Sequence, residues 1–234
     1  MGDAIRVENL SKAYPLYEHK ADRFKEALHP LGRKYHRDFY ALKDVSFHIP
    51  QGEAAGIIGK NGSGKSTLLK ILSGVLAPSS GIYRVNGRLA SLLELGTGFN
   101  AELSGIENIY FNASLLGLSK KETDAKLDDI LAFADIGDFI RQPVRTYSHG
   151  MYMRLAFAVI AHVDADILVI DEALAVGDAF FVQKCMRFLR KFRETGTLLF
   201  VSHDMAAVRA LCPRAVWLES GKIRAQGAAK EIGE

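Results

Sequence analysis

Apolar and polar residues alternate over Ile5–Leu10 and again over Val45–Ile49, the pattern of half-buried strands. Pro15 to Tyr40, between them, reads as an irregular basic segment, within which ADRFKEALH places Phe24, Ala27 and Leu28 on one helical face. EAAGIIG is a short apolar strand ending in glycines, and STLLKILSG is a helix closed by Gly74. GIYRVNGRLASLLEL reads as strand material with a turn at Asn86-Gly87. From about Leu103 to Ala161 helical periods dominate. The last of them carries Leu155, Ala156, Val159 and Ile160, so Ser148-His149-Gly150 stands at a helix N-terminus. Strands return in DILVID, TLLFVSH and AVWLES, separated by FFVQKCMRFLRKF and a shorter helix. Strands alternating with helices predict an α/β fold with a parallel sheet. Its core spans 1–98 and 163–234, with a helical subdomain inserted at 99–162.

Composition changes this picture little. The 234 residues are 48% hydrophobic and 24% charged, enough for a sizeable core and against disorder. A net charge of +3 gives no argument for nucleic acid. The two cysteines, Cys185 and Cys212, lie in no metal-ligand or Cys-x-x-Cys spacing and read as reduced thiols. MGDAIRVENL lacks the apolar region of a signal peptide, and Arg6 breaks the myristoylation pattern. No apolar run reaches the ~20 residues of a membrane span.

The chemistry is concentrated in a few stretches. GKNGSGKST, Gly59 to Thr67, fits G-x-x-x-x-G-K-[ST] between a strand and a helix. Its glycines let backbone N–H groups curl around phosphate oxygens, Lys65 reaches the β- and γ-phosphates, and the Ser66 hydroxyl suits Mg²⁺. DILVIDE ends an apolar strand in two acids. Asp171 is placed to hold the Mg²⁺ shell, and Glu172 to polarise an attacking water. His203 follows another apolar strand. A lone histidine there is more often structural, but parallel strands end on one side of a sheet, which brings His203 toward the γ-phosphate. Ser148 reads either as a simple helix cap or as part of an anion site.

Together these stretches resemble the nucleotide-binding domain of ABC ATPases over essentially the whole chain. The resemblance implies a P-loop NTPase core with an antiparallel N-terminal β part, ATP and Mg²⁺ as cofactors, and a homodimer that sandwiches two nucleotides. Gly59, Asn61, Gly62, Ser63, Gly64, Lys65, Ser66 and Thr67 would hold the nucleotide, and Tyr14 would stack on adenine. On its own Tyr14 reads as an edge-strand aromatic. Ser148, His149 and Gly150 resemble the Leu-Ser-Gly-Gly-Gln signature that meets the partner's γ-phosphate. Tyr147, His149 and Met151 depart from it. Asp178 matches an aspartate that communicates across the dimer. Glu94 takes the place of a glutamine that touches Mg²⁺. Lys65, Glu172 and His203 would be catalytic; Ser66, Asp171 and Glu94 would be metal-binding.

The Tyr-Ser-x-Gly-Met signature, SLLELGTGF, GIENIYFNASLLG and DEALAVGDAFFVQKC resemble the ATP-binding subunits that export bacterial polysaccharides, closest to O-antigen exporters. That implies a polytopic membrane permease as partner, a lipid-linked polysaccharide as substrate, no nucleic acid, and a peripheral place on the cytoplasmic face of the bacterial inner membrane. The basic segment 15–40 would then lie beside the channel mouth, near the carrier's headgroup. A soluble ABC ATPase and a non-hydrolysing dimerisation switch are the alternatives. AAKEIGE looks like the start of a helix, and a carbohydrate-binding domain is expected to follow in some relatives.

Overall fold

The computed structural model describes residues 2–29, 33–91, 98–171 and 178–232. Strand β1 (Asp3–Tyr17) and strand β2 (His36–Pro50) run antiparallel from Asp3↔Pro50 to Tyr17↔His36. Both are far longer than alternation alone indicates. The pairing shifts register between Val7 and Leu10 and again on either side of Lys12, and each shift resets which positions face inward. Asn9 (φ 47°) and Asp44 (φ 52°) take the left-handed conformation beside these shifts. The two ends of the segment read as irregular, 15–17 and 36–40, are therefore strand, with helix α1 (Lys20–Leu28) at the far end of the hairpin.

Helix α1 forms where the sequence placed it, but the buried residue is Asp22, while Phe24 (72%) and Leu28 (81%) are exposed. Polar contacts hold it down. Glu26 accepts from the Tyr35 backbone N–H at 2.7 Å and the Tyr17 hydroxyl at 3.3 Å, and meets His36 Nδ1 at 2.7 Å. These contacts hold the Glu26 carboxyl below its ordinary range, the Tyr35 N–H foremost.

Strand β4 (Ser80–Val85) joins β1 to complete a three-stranded sheet in the order β2-β1-β4. The second sheet has six strands in the order β5-β6-β7-β3-β8-β9. Its strands are β3 (Ala54–Ile58), β5 (Leu89–Ser91), β6 (Ile167–Ile170), β7 (Thr197–Ser202), β8 (Arg214–Glu219) and β9 (Lys222–Ala228). Strands β5, β6, β7, β3 and β8 are parallel, and β9 runs antiparallel to β8. Asn86-Gly87 is thus not a hairpin turn: β4 and β5 on either side of it belong to different sheets. Every residue of β3, β6 and β7 is buried, as continuous apolar runs in a covered parallel sheet must be.

Helix α2 (Lys65–Leu72) follows β3. Helices α3 (Gly105–Leu115), α4 (Lys120–Ala134) and α5 (His149–Ala161) occupy the helical stretch. Capping boxes start the first two: Ser104 with Glu107, and Ser119 with Glu122. Helix α6 (Ala179–Phe192) and helix α7 (Met205–Leu211) flank β7 in sequence. Ile109, Ile130, Phe157 and Phe181 join Ile170 and Leu198 in one buried cluster, so these helices and the sheet share a core. Burial pushes the Cys185 and Cys212 thiols up to about 12. The residues after β9 turn instead of starting a helix, as far as 232.

Candidate functional site

Strand β3 delivers the chain at the carboxyl edge of the six-stranded sheet, where the glycine-rich loop begins. Leu68, Leu69, Ile71 and Leu72 anchor α2 in the core, so the helix N-terminus has a fixed place. Gly64 stands at its N-cap with φ 106°, and a Cβ there would come within 2.5 Å of the Ala41 carbonyl oxygen. Among the described residues no side chain caps α2, which leaves its first N–H groups to a ligand. At Gly62 (φ 81°) a Cβ would meet nothing within 4 Å, so this turn of the loop faces open space.

Lys65 is 7% exposed, and its ammonium donates to the carbonyl oxygens of Gly59 at 2.6 Å and Lys60 at 3.2 Å. The charge is thereby folded into the loop. The Ser63 hydroxyl is buried with no hydrogen-bond partner among the described residues, a donor held inside the cradle.

A cavity of about 460 Å³ opens over this loop. Asn61, Gly62, Gly64, Lys65, Ser66 and Thr67 form one wall, Asp171 closes the end of β6, and Tyr14, Phe39 and Ala41 come from the β1–β2 hairpin. Uncapped helix N–H groups, a lysine, a hydroxyl and a carboxylate in a cleft of this size suit a polyphosphate with a hard cation. Tyr14, the loop and Asp171 thus line one cavity.

His203, Ser148, His149, Gly150 and Asp178 are not among the residues that line that cavity. His203 follows β7 on the same sheet edge, Ser202 pairing with Ile58 of β3, but it does not line the cavity. Its neighbour Asp204 caps α7 by accepting from Ala206 and Ala207 N–H groups. Ser148 caps α5, its hydroxyl accepting from the Met151 N–H at 3.2 Å, so the simpler sequence reading holds within this chain. Ser148 and His149 are exposed, and a Cβ on Gly150 would meet only the Ser148 hydroxyl, at 3.9 Å. Glu94 and Glu172 lie outside the described residues.

Asp178 caps α6, accepting from Phe180 N–H at 2.9 Å and Phe181 N–H at 3.0 Å, and pairs with Arg154 of α5. These contacts, the Phe181 N–H foremost, hold its carboxyl below the ordinary range. Arg154 also donates to the Asp135 carbonyl oxygen at 3.0 Å and lies 5.1 Å from the Phe181 ring centroid. One guanidinium thus joins the start of α6, the end of α4 and the helix that Ser148 opens. Sequence reading misses Arg154 and Phe39. Their partners are far away in the chain, and only the strand register and helix packing disclose them.

A family model described as "ABC transporter" matches residues 42–175. The O-antigen export system ATP-binding protein RfbB of Klebsiella pneumoniae is 46% identical over 243 residues, spanning 100% of this chain and 97% of that protein. The teichoic acids export ATP-binding protein TagH of Listeria innocua is 44% identical over 237 residues, spanning 100% of this chain and 70% of that one. A solved ATP-binding cassette, described as dimeric, post-hydrolysis and bound to ADP and Pi, superposes with a TM-score of 0.78 at 21% identity. That match covers 96% of this chain and 98% of the other.

Proposed function

The chain belongs to the ABC transporter family, and we propose that within it the chain is the ATP-hydrolysing motor of an exporter of lipid-linked polysaccharide, O antigen foremost, at the bacterial inner membrane. The observation that carries this is the 46% identity, over the whole chain, to an O-antigen export ATP-binding protein. As a family member the chain is an ATPase, and the lysine, hydroxyl and carboxylate around its cavity suit that chemistry.

Lys65 takes the negative charge of the β- and γ-phosphates once they draw it from the loop carbonyls. The N–H groups at the start of α2 bind phosphate oxygens without a competing cap. Ser66 and Asp171 line the same cavity with two hard oxygen donors, the set that Mg²⁺ takes, and Glu94 is assigned there by resemblance. The ion supplies charge neutralisation at the phosphates. Glu172 takes a proton from the water whose oxygen bonds to the γ-phosphorus as the bond to the β,γ-bridging oxygen breaks and ADP leaves. His203 steadies the γ-phosphate from the same sheet edge.

Ser148, His149 and Gly150 act on the nucleotide held by a second copy of the chain, and Asp178 communicates between the two. The open space at Gly150 supports this, because the glycine weakens its own helix without easing any contact in its own chain. Among the described residues no helix is long and apolar enough to cross a membrane. The likeness to export-system ATP-binding proteins supports a polytopic permease as the motor's partner. Affinity capture of the chain from native membranes tests the proposal. It should bring down a polytopic membrane protein in stoichiometric amount together with lipid-linked polymer. Soluble partners alone would overturn it.

A further inference from the structure

The hairpin wall of the cavity carries two rings, of which the sequence resemblance assigns only Tyr14. Phe39 is the residue directly across from Tyr14 in the β1–β2 register. Directly opposed residues on antiparallel strands share a face, their Cβ atoms about 5 Å apart. Both residues line the cavity that Lys65 and Asp171 also line.

The two rings are not equivalent. The Lys12 ammonium sits 5.3 Å from the Tyr14 ring centroid and is tethered to the Ala77 carbonyl oxygen at 2.8 Å. One part of the Tyr14 surface is thereby used by the protein itself. Tyr40, next along β2, has the Lys43 ammonium 5.3 Å from its own centroid. Among the described residues no cation or ring stacks on Phe39, which is 50% exposed against 38% for Tyr14. A large apolar ring left open in a polar, phosphate-adjoining cleft gains by covering it with another flat ring.

We propose that Phe39 is a second base-contacting residue: the purine of the nucleotide lies against Phe39 as well as Tyr14, so that both strands of the hairpin form its seat. The inference rests on the nucleotide-binding function above and deepens it. The occupant is set by continuity: the phosphates of a nucleoside triphosphate in the loop leave their base toward the hairpin. Phe39 carries no donor or acceptor, so it selects by ring area and not by base edge. It therefore favours purines over pyrimidines and does not separate adenine from guanine.

The test is a calorimetric titration of the chain and of Phe39→Ala and Phe39→Leu with Mg-ATP, Mg-CTP and Mg-tripolyphosphate. The last ligand reads the phosphate loop without any base. Phe39→Ala should weaken ATP about tenfold, the scale of one lost ring stack. It should narrow the gap between ATP and CTP and leave tripolyphosphate unchanged. Phe39→Leu, which keeps apolar bulk without the flat face, should fall between. An unchanged ATP affinity in Phe39→Ala would overturn the inference, and so would equal losses for ATP and tripolyphosphate. Failure of the unaltered chain to bind either ligand would instead overturn the nucleotide-binding reading beneath it.

Discussion

Helices α2 and α5 both open at a point the sequence marks for phosphate, and they are built in opposite ways. The N-terminus of α2 lies in a cavity, uncapped by any described side chain, with Lys65 drawn into its loop and Asp171 lining the same cavity. The N-terminus of α5 is exposed, and Ser148 has already turned its hydroxyl onto the Met151 N–H. The α2 site is walled by its own chain. The α5 site presents a helix end and an open glycine, and among the described residues only the Ser148 hydroxyl comes within 4 Å of a Cβ built on that glycine. An exposed helix end of this kind leaves room for a contact in trans, the role proposed for it above.

Removing the charge from the complete site should have the largest effect. Lys65→Ala should lower ATP hydrolysis about 10³-fold, the scale of losing a donor aimed at developing charge. Phosphate release under saturating nucleotide measures it. Turnover within a fewfold of the unaltered chain would mean that the α2 site is not where the reaction occurs.

The second break separates the two ends. Gly150→Ala adds a methyl where the nearest described atom of the chain is 3.9 Å away. Gly150 lies in the first turn of α5, so its replacement should stabilise the chain by no more than about 0.5 kcal/mol, the low end of the mid-helix value. If a partner's nucleotide must approach that glycine closely, turnover should nonetheless fall, about tenfold for a misfit costing about 1.4 kcal/mol. Monomer affinity for ATP should not move. Gained stability with undiminished turnover would show that nothing approaches the α5 end.

The unequal construction also explains what could be read from the chain. The α2 site is local. Its glycines, lysine and serine lie within Gly59–Thr67, and Asp171 follows a run of four buried apolar residues. From its own residues the α5 end reads as a cap or an anion site, and only the family resemblance points it at a partner's nucleotide; its own chain supplies the cap. The hairpin was largely hidden, because register shifts around Lys12 and between Val7 and Leu10 interrupt the alternation that marks a strand. Phe39 enters the site through the same pairing. Helix α1 was legible from Phe24, Ala27 and Leu28, but its attachment through Glu26 and His36 depends on the two ends of the hairpin meeting. Ser104 with Glu107 and Ser119 with Glu122 spell out capping boxes, a local signal that marks the starts of α3 and α4 directly.

The smallest effect sharpens how the α5 end is held. Arg154 ties that helix to Asp178, whose carboxyl is held below its ordinary value first by the Phe181 N–H and then by Arg154. A carboxylate with a lowered folded pKa stabilises the fold above its unfolded value, about 4, and that contribution is lost as pH falls through the folded value. Arg154→Met removes one cause of the lowering and leaves the Phe180 and Phe181 N–H bonds in place. Thermal unfolding compared between pH 7 and pH 3 should therefore show the variant less stable at neutral pH. The difference should shrink below about pH 4 as Asp178 takes up its proton in both chains. Partial exposure of the pair keeps the difference small. A gap that stays constant with pH would mean that Arg154 acts by packing on Phe181 and not through the carboxylate. The α5 end would then be positioned by apolar contact, and its link to Asp178 would be incidental.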